Sequence, residues 1–435
     1  MNSFWTIKKK TVYGAFIAFL LTSEFFYIKV GSGTARPYHF VAVFVVAVLY
    51  KKIPKLFASR VFLVLVGFFL VNFIAASVSN TPERALLSLA SLFCNISISV
   101  AIALILLSHR VRVDQLVTIV VAVTLVSIVW ALSQILSYKF IGINLALSDE
   151  QVSQIRGGFG PGLRTEANTF AKYLNFVFLL LVPNFMGGNR INGFWIDKYR
   201  FLIFAMLLLG MLICLTRSAI YGLAVTLLCI AFYYVSTGTE KLFNKRLFKY
   251  IISSTLAICL YAFIVDNVNE YAAHKIATLF SVDEILEGES STFRLYSQLQ
   301  LYNAFVANGV SVLIGNGWGQ VFYSYGDDVW QAGGAEILTA LAYGGIFSGF
   351  AYVGYMVFSI LAFRNMAIKK ANDFTARSYE GFMFANIGLF ITGQINGSQV
   401  APEYWMLFGV AIFCSTTLRT RPISTLEQSK LSPAL

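Results

Sequence analysis

The chain has 435 residues, 57% hydrophobic and 12% charged, with a mean hydropathy of +0.71 and a formal net charge of +12. A soluble domain carries about 25% charged residues, so this composition cannot clothe so long a chain in a water-facing surface. The apolar stretches are long and separated by short polar breaks. They predict helical membrane spans of about 20 residues, while the roughly 10-residue alternating segments of a transmembrane β-barrel are not evident.

In chain order, spans are predicted over 11–29, 37–50, 61–78, 85–107, 114–137, 168–187, 201–215, 218–236, 250–265, 337–362, 381–397 and 402–418. The expected fold is therefore an all-α polytopic membrane protein of about 12 transmembrane helices. It forms a single membrane domain over 1–435. Lys8, Lys9 and Lys10 precede the first apolar run, as in a signal peptide. No small-residue cleavage site follows, so that run is read as an anchoring span. The five cysteines (Cys94, Cys214, Cys229, Cys259, Cys414) fall within or beside spans without metal-ligand spacing, and read as small buried hydrophobes.

Charge sets the orientation. The alternate segments 1–10, 51–60, 108–114, 188–200, 237–249, 363–380 and 419–435 hold 23 Lys and Arg against six acidic residues. The remainder holds 10 basic and 15 acidic residues. The positive-inside rule assigns the first set, and with it both termini, to the cytoplasm. Basic charge then reports topology and implies no nucleic acid. Two long segments, 138–167 and 266–336, fall outside. Within the second, Leu295, Leu299, Tyr302 and Val306 share one helical face, which predicts a helix lying on the membrane surface or packed on the bundle.

Ten basic residues remain on the outer side. Lys29, Arg36, Arg84 and Lys139 read as snorkelling or solvated charges. Lys172 stands one turn into a span, snorkelling or facing the interior. Arg217 lies in Leu215-Thr216-Arg217-Ser218, between two spans with almost no loop. A charge at that depth needs a polar partner, so it is either the ion pair of a tight hairpin or part of an anion site. Arg156 and Arg164 flank Gly157-Gly158-Phe159-Gly160-Pro161-Gly162-Leu163, a segment that permits close backbone approach, as in phosphate-cradling loops. Arg294 follows Ser290-Ser291-Thr292 near a predicted helix N-terminus. Guanidinium pairs bidentately with phosphate oxygens, so arginines gathered at the outer edge suit a lipid pyrophosphate. Asp283, Glu284, Glu287 and Glu289 read as a solvated acidic loop. Asp327 and Asp328 are adjacent and the histidines scattered, so no metal site is assigned. Trp318, Tyr323, Tyr325 and Trp330, near Gly315-Asn316-Gly317-Trp318-Gly319, suit either interfacial anchoring or packing on sugar rings.

The ordered set from about 150 to 350 resembles the Wzy-type polysaccharide polymerases and the related O-antigen ligases. It comprises Arg156-Gly157-Gly158-Phe159, Arg164-Thr165-Glu166-Ala167-Asn168, Leu215-Thr216-Arg217-Ser218-Ala219, Arg294, Gly315-Asn316-Gly317-Trp318-Gly319, and Glu336-Ile337-Leu338 leading to Tyr343-Gly344-Gly345. The resemblance implies an inverting, metal-independent glycosyltransferase without cofactor, in the bacterial plasma (inner) membrane. Its donor is an oligosaccharide on undecaprenyl pyrophosphate at the outer leaflet, and its product a surface polysaccharide such as O-antigen or capsule. Membrane lipid and a chain-length regulator protein are further expected partners. By resemblance Arg217 and Arg294 engage the donor phosphates, with Arg156 and Arg164 in support. Glu166, Asn168, Trp318 and Tyr323 are expected as further substrate contacts. The ligases' His-Asn pair falls near Gly334-Ala335, where no histidine stands. That favours polymerase over ligase and leaves the base open among Glu336, Glu166 and Glu403, in that order. A transporter or flippase is the alternative of a different class. Against it stand the lack of visible half-to-half repeats and the concentration of distinctive residues on one face.

Overall fold

The computed structural model describes residues 2–24, 26–30, 33–156, 158–186, 195–214, 216–236, 289–325, 328–369, 374–395 and 401–420. The predicted span 250–265 and the acidic residues 283–287 lie outside them. The chain runs through α1 (Asn2–Thr22), a hairpin of β1 (Ile28–Val30) and β2 (Gly33–Ala35), and α2 (Pro37–Val48). A 3-10 segment (Tyr50–Ala58) leads to α3 (Arg60–Ser77), α4 (Pro82–Leu107), α5 (Val113–Ile141) and α6 (Asp149–Arg156). Then come α7 (Ala167–Met186), the short α8 (Trp195–Lys198), α9 (Arg200–Cys214) and α10 (Arg217–Ser236). The later part holds α11 (Glu289–Val306), α12 (Gly309–Leu313), a second hairpin of β3 (Phe322–Tyr325) and β4 (Asp328–Gln331), α13 (Glu336–Lys369), α14 (Phe374–Ile395) and α15 (Pro402–Thr420).

Among the described residues, five helices (α3, α4, α5, α7 and α13) are long and apolar enough to cross a membrane. Shorter apolar helices cover Thr11–Thr22, Pro37–Val48, Arg200–Cys214 and Ile220–Ser236. The first predicted span runs too far. Its helix stops at Thr22, where the Thr22 and Ser23 hydroxyls donate back to the carbonyls of Ala18 (2.9 Å) and Phe19 (2.6 Å). The chain then forms the first antiparallel hairpin. The two hairpins are the departures from an all-α fold among the described residues.

A helix that is apolar all round needs no amphipathic pattern to persist in hydrocarbon, because its backbone groups pair internally. Close crossings are made at small residues. A Cβ on Gly381 of α14 would collide with the Leu180 carbonyl of α7. One on Gly409 of α15 would lie 2.7 Å from the Ser99 carbonyl oxygen of α4. Outward faces remain apolar, with Phe40, Phe44, Leu70, Phe232, Phe347 and Phe350 all exposed. So many exposed aromatic and aliphatic side chains on helix flanks mark a surface that faces lipid.

One break organises one end of the bundle. Gly345, inside α13, has φ 70° and ψ −170° and divides it into two helical pieces. The break frees the carbonyls of Ala342 and Tyr343, which accept the N–H groups of Asn316 (3.0 Å) and Gly317 (2.9 Å). The Asn316 side-chain amide donates to the same Ala342 oxygen at 2.9 Å. Gly315 (φ 86°) lies so close that a Cβ there would be 2.5 Å from the Gly345 nitrogen. The Gly315-Asn316-Gly317-Trp318-Gly319 motif is thus a backbone plug in a broken helix. It fixes the segment between α11 and α13, and with it the β3–β4 hairpin, over the helix ends.

Candidate functional site

A cavity of about 530 Å³ opens where the ends of α1, α2 and α7 meet α11 and the β3–β4 hairpin. Its lining includes Glu24, Arg36, Glu166, Asn168, Lys172, Arg294, Tyr323 and Trp330. The volume falls within the range of small-molecule sites. Three cations face it with two carboxylates, and each comes from a different local device. Asn168 and Lys172 are one turn apart on α7, so they share a face. Arg294 sits early on α11, and Ser297 one turn later anchors that helix by accepting the Gly333 N–H at 2.9 Å. Burial lowers the pKa of the Arg294 guanidinium. Arg36 caps α2, its N–H donated to His39 Nδ1 at 3.2 Å and its Nη1 to the Tyr38 hydroxyl at 2.9 Å.

One wall is aromatic. Phe293 meets Trp330 edge-on at 5.4 Å between centroids and Tyr323 at 5.8 Å, while Tyr296 meets Tyr323 at 5.5 Å. Tyr323 and Trp330 are cross-strand partners, which holds both rings in register.

Beneath the cavity lies a buried charge network. Arg164 pairs with Glu24 through Nη1 and with Glu403 through Nη2 (3.1 Å), all three side chains about 1% exposed. Its guanidinium also lies over the Tyr173 ring, 4.2 Å from the centroid. Burial opposes the Arg164 charge, but the Glu403 and Glu24 carboxylates more than offset it and raise its pKa. Glu24 in turn reaches Arg36 at 3.8 Å. Lys172 stands within electrostatic reach of Glu336, Arg294, Glu403 and Glu166. Glu336, the first residue of α13, is buried under the tyrosines: it accepts from the Tyr352 hydroxyl and from the Tyr404 hydroxyl at 3.3 Å. Gly393 of α14 passes so near that a Cβ would lie 2.6 Å from its carboxylate.

The structure therefore gathers Arg294, Glu166, Asn168 and Tyr323 from the expected set around one cavity. It puts Arg164 and Glu403 below the floor, paired with each other. Glu336 is also buried and is not a lining residue. Among the three carboxylates weighed as base, Glu166 alone is exposed and lines the cavity. Arg156 is exposed at the end of α6, outside the lining. Trp318 packs edge-on to Phe68 (5.9 Å) and Tyr343 (5.5 Å) beside the helix break. Arg217 opens α10, and its side chain lies outside the described residues. Glycines 160 and 162 make their close approach to α5, where the Gly162 N–H meets Gln134 at 3.1 Å and the Leu163 N–H meets Ser127 at 3.0 Å.

No family model and no curated protein matches the chain. The sequence passes over Glu24, leaves Lys172 undecided, and suggests a snorkelling or solvated Arg36, which is instead buried against Glu24 and Tyr38. The Asn168–Lys172 spacing was a legible signal, because a lysine one turn below a polar residue at a span entrance faces the same way. Nothing local in the sequence pairs Glu24 with Arg164, 140 residues apart.

A second cavity of about 670 Å³ lies on the same end of the molecule, lined by Ser79, Asn80, Thr81, Arg84, Asn308, Gln320 and Phe322 among others. Thr81 donates to Gln320 across it at 2.6 Å. Phe322 lines this cavity and its neighbour Tyr323 the first, so β3 is a wall common to both.

Proposed function

We propose that this protein joins oligosaccharide repeat units carried on undecaprenyl pyrophosphate at the outer leaflet of the bacterial plasma membrane. The observation that carries the reading is the convergence of Arg36, Lys172 and Arg294 with Glu166 and an aromatic wall around a single cavity. In the proposed reaction the acceptor hydroxyl attacks the anomeric carbon of the donor. The bond from that carbon to the pyrophosphate oxygen breaks with inversion, and the lipid pyrophosphate leaves. Arginine and lysine stabilise the charge that grows on the departing oxygens. Glu166 takes the acceptor proton, in preference to Glu336 and Glu403, which are buried among tyrosines and against Arg164. Arg217 keeps the phosphate role that the family resemblance gives it. Metal independence is part of the proposal.

The second cavity supports transfer between two glycans, since amide and hydroxyl side chains with one aromatic face suit a sugar chain. The orientation inferred from charge puts both cavities outside and both termini in the cytoplasm, with about 12 spans. The plug at Gly345 also bears on the transporter alternative. Helix breaks in transporters bind substrate with freed backbone groups, whereas here the carbonyls of Ala342 and Tyr343 are taken by Asn316 and Gly317.

In the producing cell, Arg217→Ala and Arg294→Ala should leave the protein inserted and abolish long-chain glycan, read as a ladder on a gel. Normal chain lengths in both variants would sink the proposal. Deletion separates polymerase from ligase: single repeat units on the acceptor mean a lost polymerase, and free lipid-linked long chains mean a lost ligase.

A further inference from the structure

The opposite end of the bundle holds a different kind of cavity. It measures about 200 Å³ and is lined by Arg60, Phe358, Leu361, Asn365, Leu418 and Arg419, with Ala362 and Ser415. Arg60 begins α3 and Arg419 lies in the last turn of α15, so two helix ends bring two guanidiniums to one opening. The Arg60 N–H donates to Ser415 Oγ at 3.2 Å, which ties these ends together. Both arginines are exposed, and neither has an acidic partner within 4.0 Å among the described residues. No carboxylate lines the cavity. Its other wall is apolar, and Leu361 is 41% exposed on the flank of α13.

A ligand matching this cavity has an anionic head and an alkyl body. The neighbouring 3-10 segment fits the same description. It buries Leu56 and exposes Lys51, Lys55, Tyr50 and Phe57, the mixture found where protein meets the headgroup layer. Basic pockets between helices at the cytoplasmic face bind acidic lipid headgroups.

We propose that this cavity binds an anionic phospholipid. Arg60 and Arg419 hold the phosphate, Asn365 contacts the glycerol region, and Phe358, Leu361 and Leu418 line the first acyl carbons. The inference rests on the membrane reading and is independent of the glycosyl-transfer chemistry.

The test is native mass spectrometry of the full chain from detergent, titrated with phosphatidylglycerol or with phosphatidylcholine of the same acyl chains. The wild type should retain one phosphatidylglycerol in preference to phosphatidylcholine. Arg60→Ala with Arg419→Ala should weaken that retention roughly 30-fold, about fivefold per arginine. Leu361→Trp, which fills the apolar wall and keeps both charges, should weaken it as well, so a poorly folded double variant does not leave the question open. Arg112→Ala, at an exposed arginine already paired with Asp114, should change nothing. Equal retention of the two lipids, or an equal loss in Arg112→Ala, would overturn the site. Protection of the protein by inorganic phosphate to the same degree as by the lipid would also overturn it, because the cavity would then be a free-anion site. A protein that stays monodisperse without detergent would instead overturn the membrane reading beneath it.

Discussion

At the scale of single residues, Arg164 and Arg294 both stand apart from the basic segments in the sequence and end in opposite settings. Arg294 faces the cavity of about 530 Å³, whereas Arg164 is shut between Glu24 and Glu403 under its floor. Removing one member of a buried ion network leaves the others uncompensated, at a cost of about 3–5 kcal/mol. Arg164→Met should therefore lower the thermal unfolding midpoint in detergent sharply. Adding Glu403→Gln should recover much of the loss, since it removes the carboxylate that Arg164 compensated while Glu24 keeps its contact with Arg36. A double variant less stable than Arg164→Met would contradict the pairing. Chemistry and periodicity made the arginines visible as outliers, because a cation outside the basic face needs a reason. They did not say which was structural. That distinction depends on contacts between positions such as 24, 164 and 403, which only the folded chain supplies.

At the scale of elements, the helices were the most legible feature, since a long apolar run states its own conformation. The loops were less so. Glycine clusters at 157–163 and 315–319 signal close backbone approach, and both do make one. The partner is protein in each case: α5 for the first and the break in α13 for the second. A phosphate-cradling loop and a helix-docking loop need the same glycines, so composition alone does not separate them. The plug leads to a prediction. Gly345→Ala puts a side chain at φ 70° against the Leu313 carbonyl, and should destabilise the protein by at least about 2 kcal/mol. Gly142→Ala also has a positive φ but open space around it, and should cost clearly less in the same unfolding measurement. Equal losses would mean that the plug carries no packing energy. The stripe of Leu295, Leu299, Tyr302 and Val306 on α11 is exposed, which suits the membrane-surface alternative read from its spacing.

At the scale of the whole molecule, the two ends of the bundle carry different cavities. Residues around 24, 36, 165–172 and 293–334 surround one, and residues around 60, 365 and 419 meet at the other. The proposed orientation puts the first outside and the second in the cytoplasm. The orientation itself is open to labelling. With the exposed Cys229 replaced by Ser, a cysteine at Asn80 should react with an impermeant maleimide in intact cells, and one at Lys51 only after lysis. The reverse pattern would invert the topology and put the cavity on the wrong side for a lipid-linked donor.

The most direct measurement is elongation by the purified protein supplied only with undecaprenyl pyrophosphate-linked repeat unit, with and without a chelator. A ladder of products growing one repeat at a time, unchanged by the chelator and absent with Arg294→Ala, is the expected result. Products no longer than a single repeat from the wild type, or the same ladder from Arg294→Ala, would contradict the assignment of this cavity to glycan polymerisation.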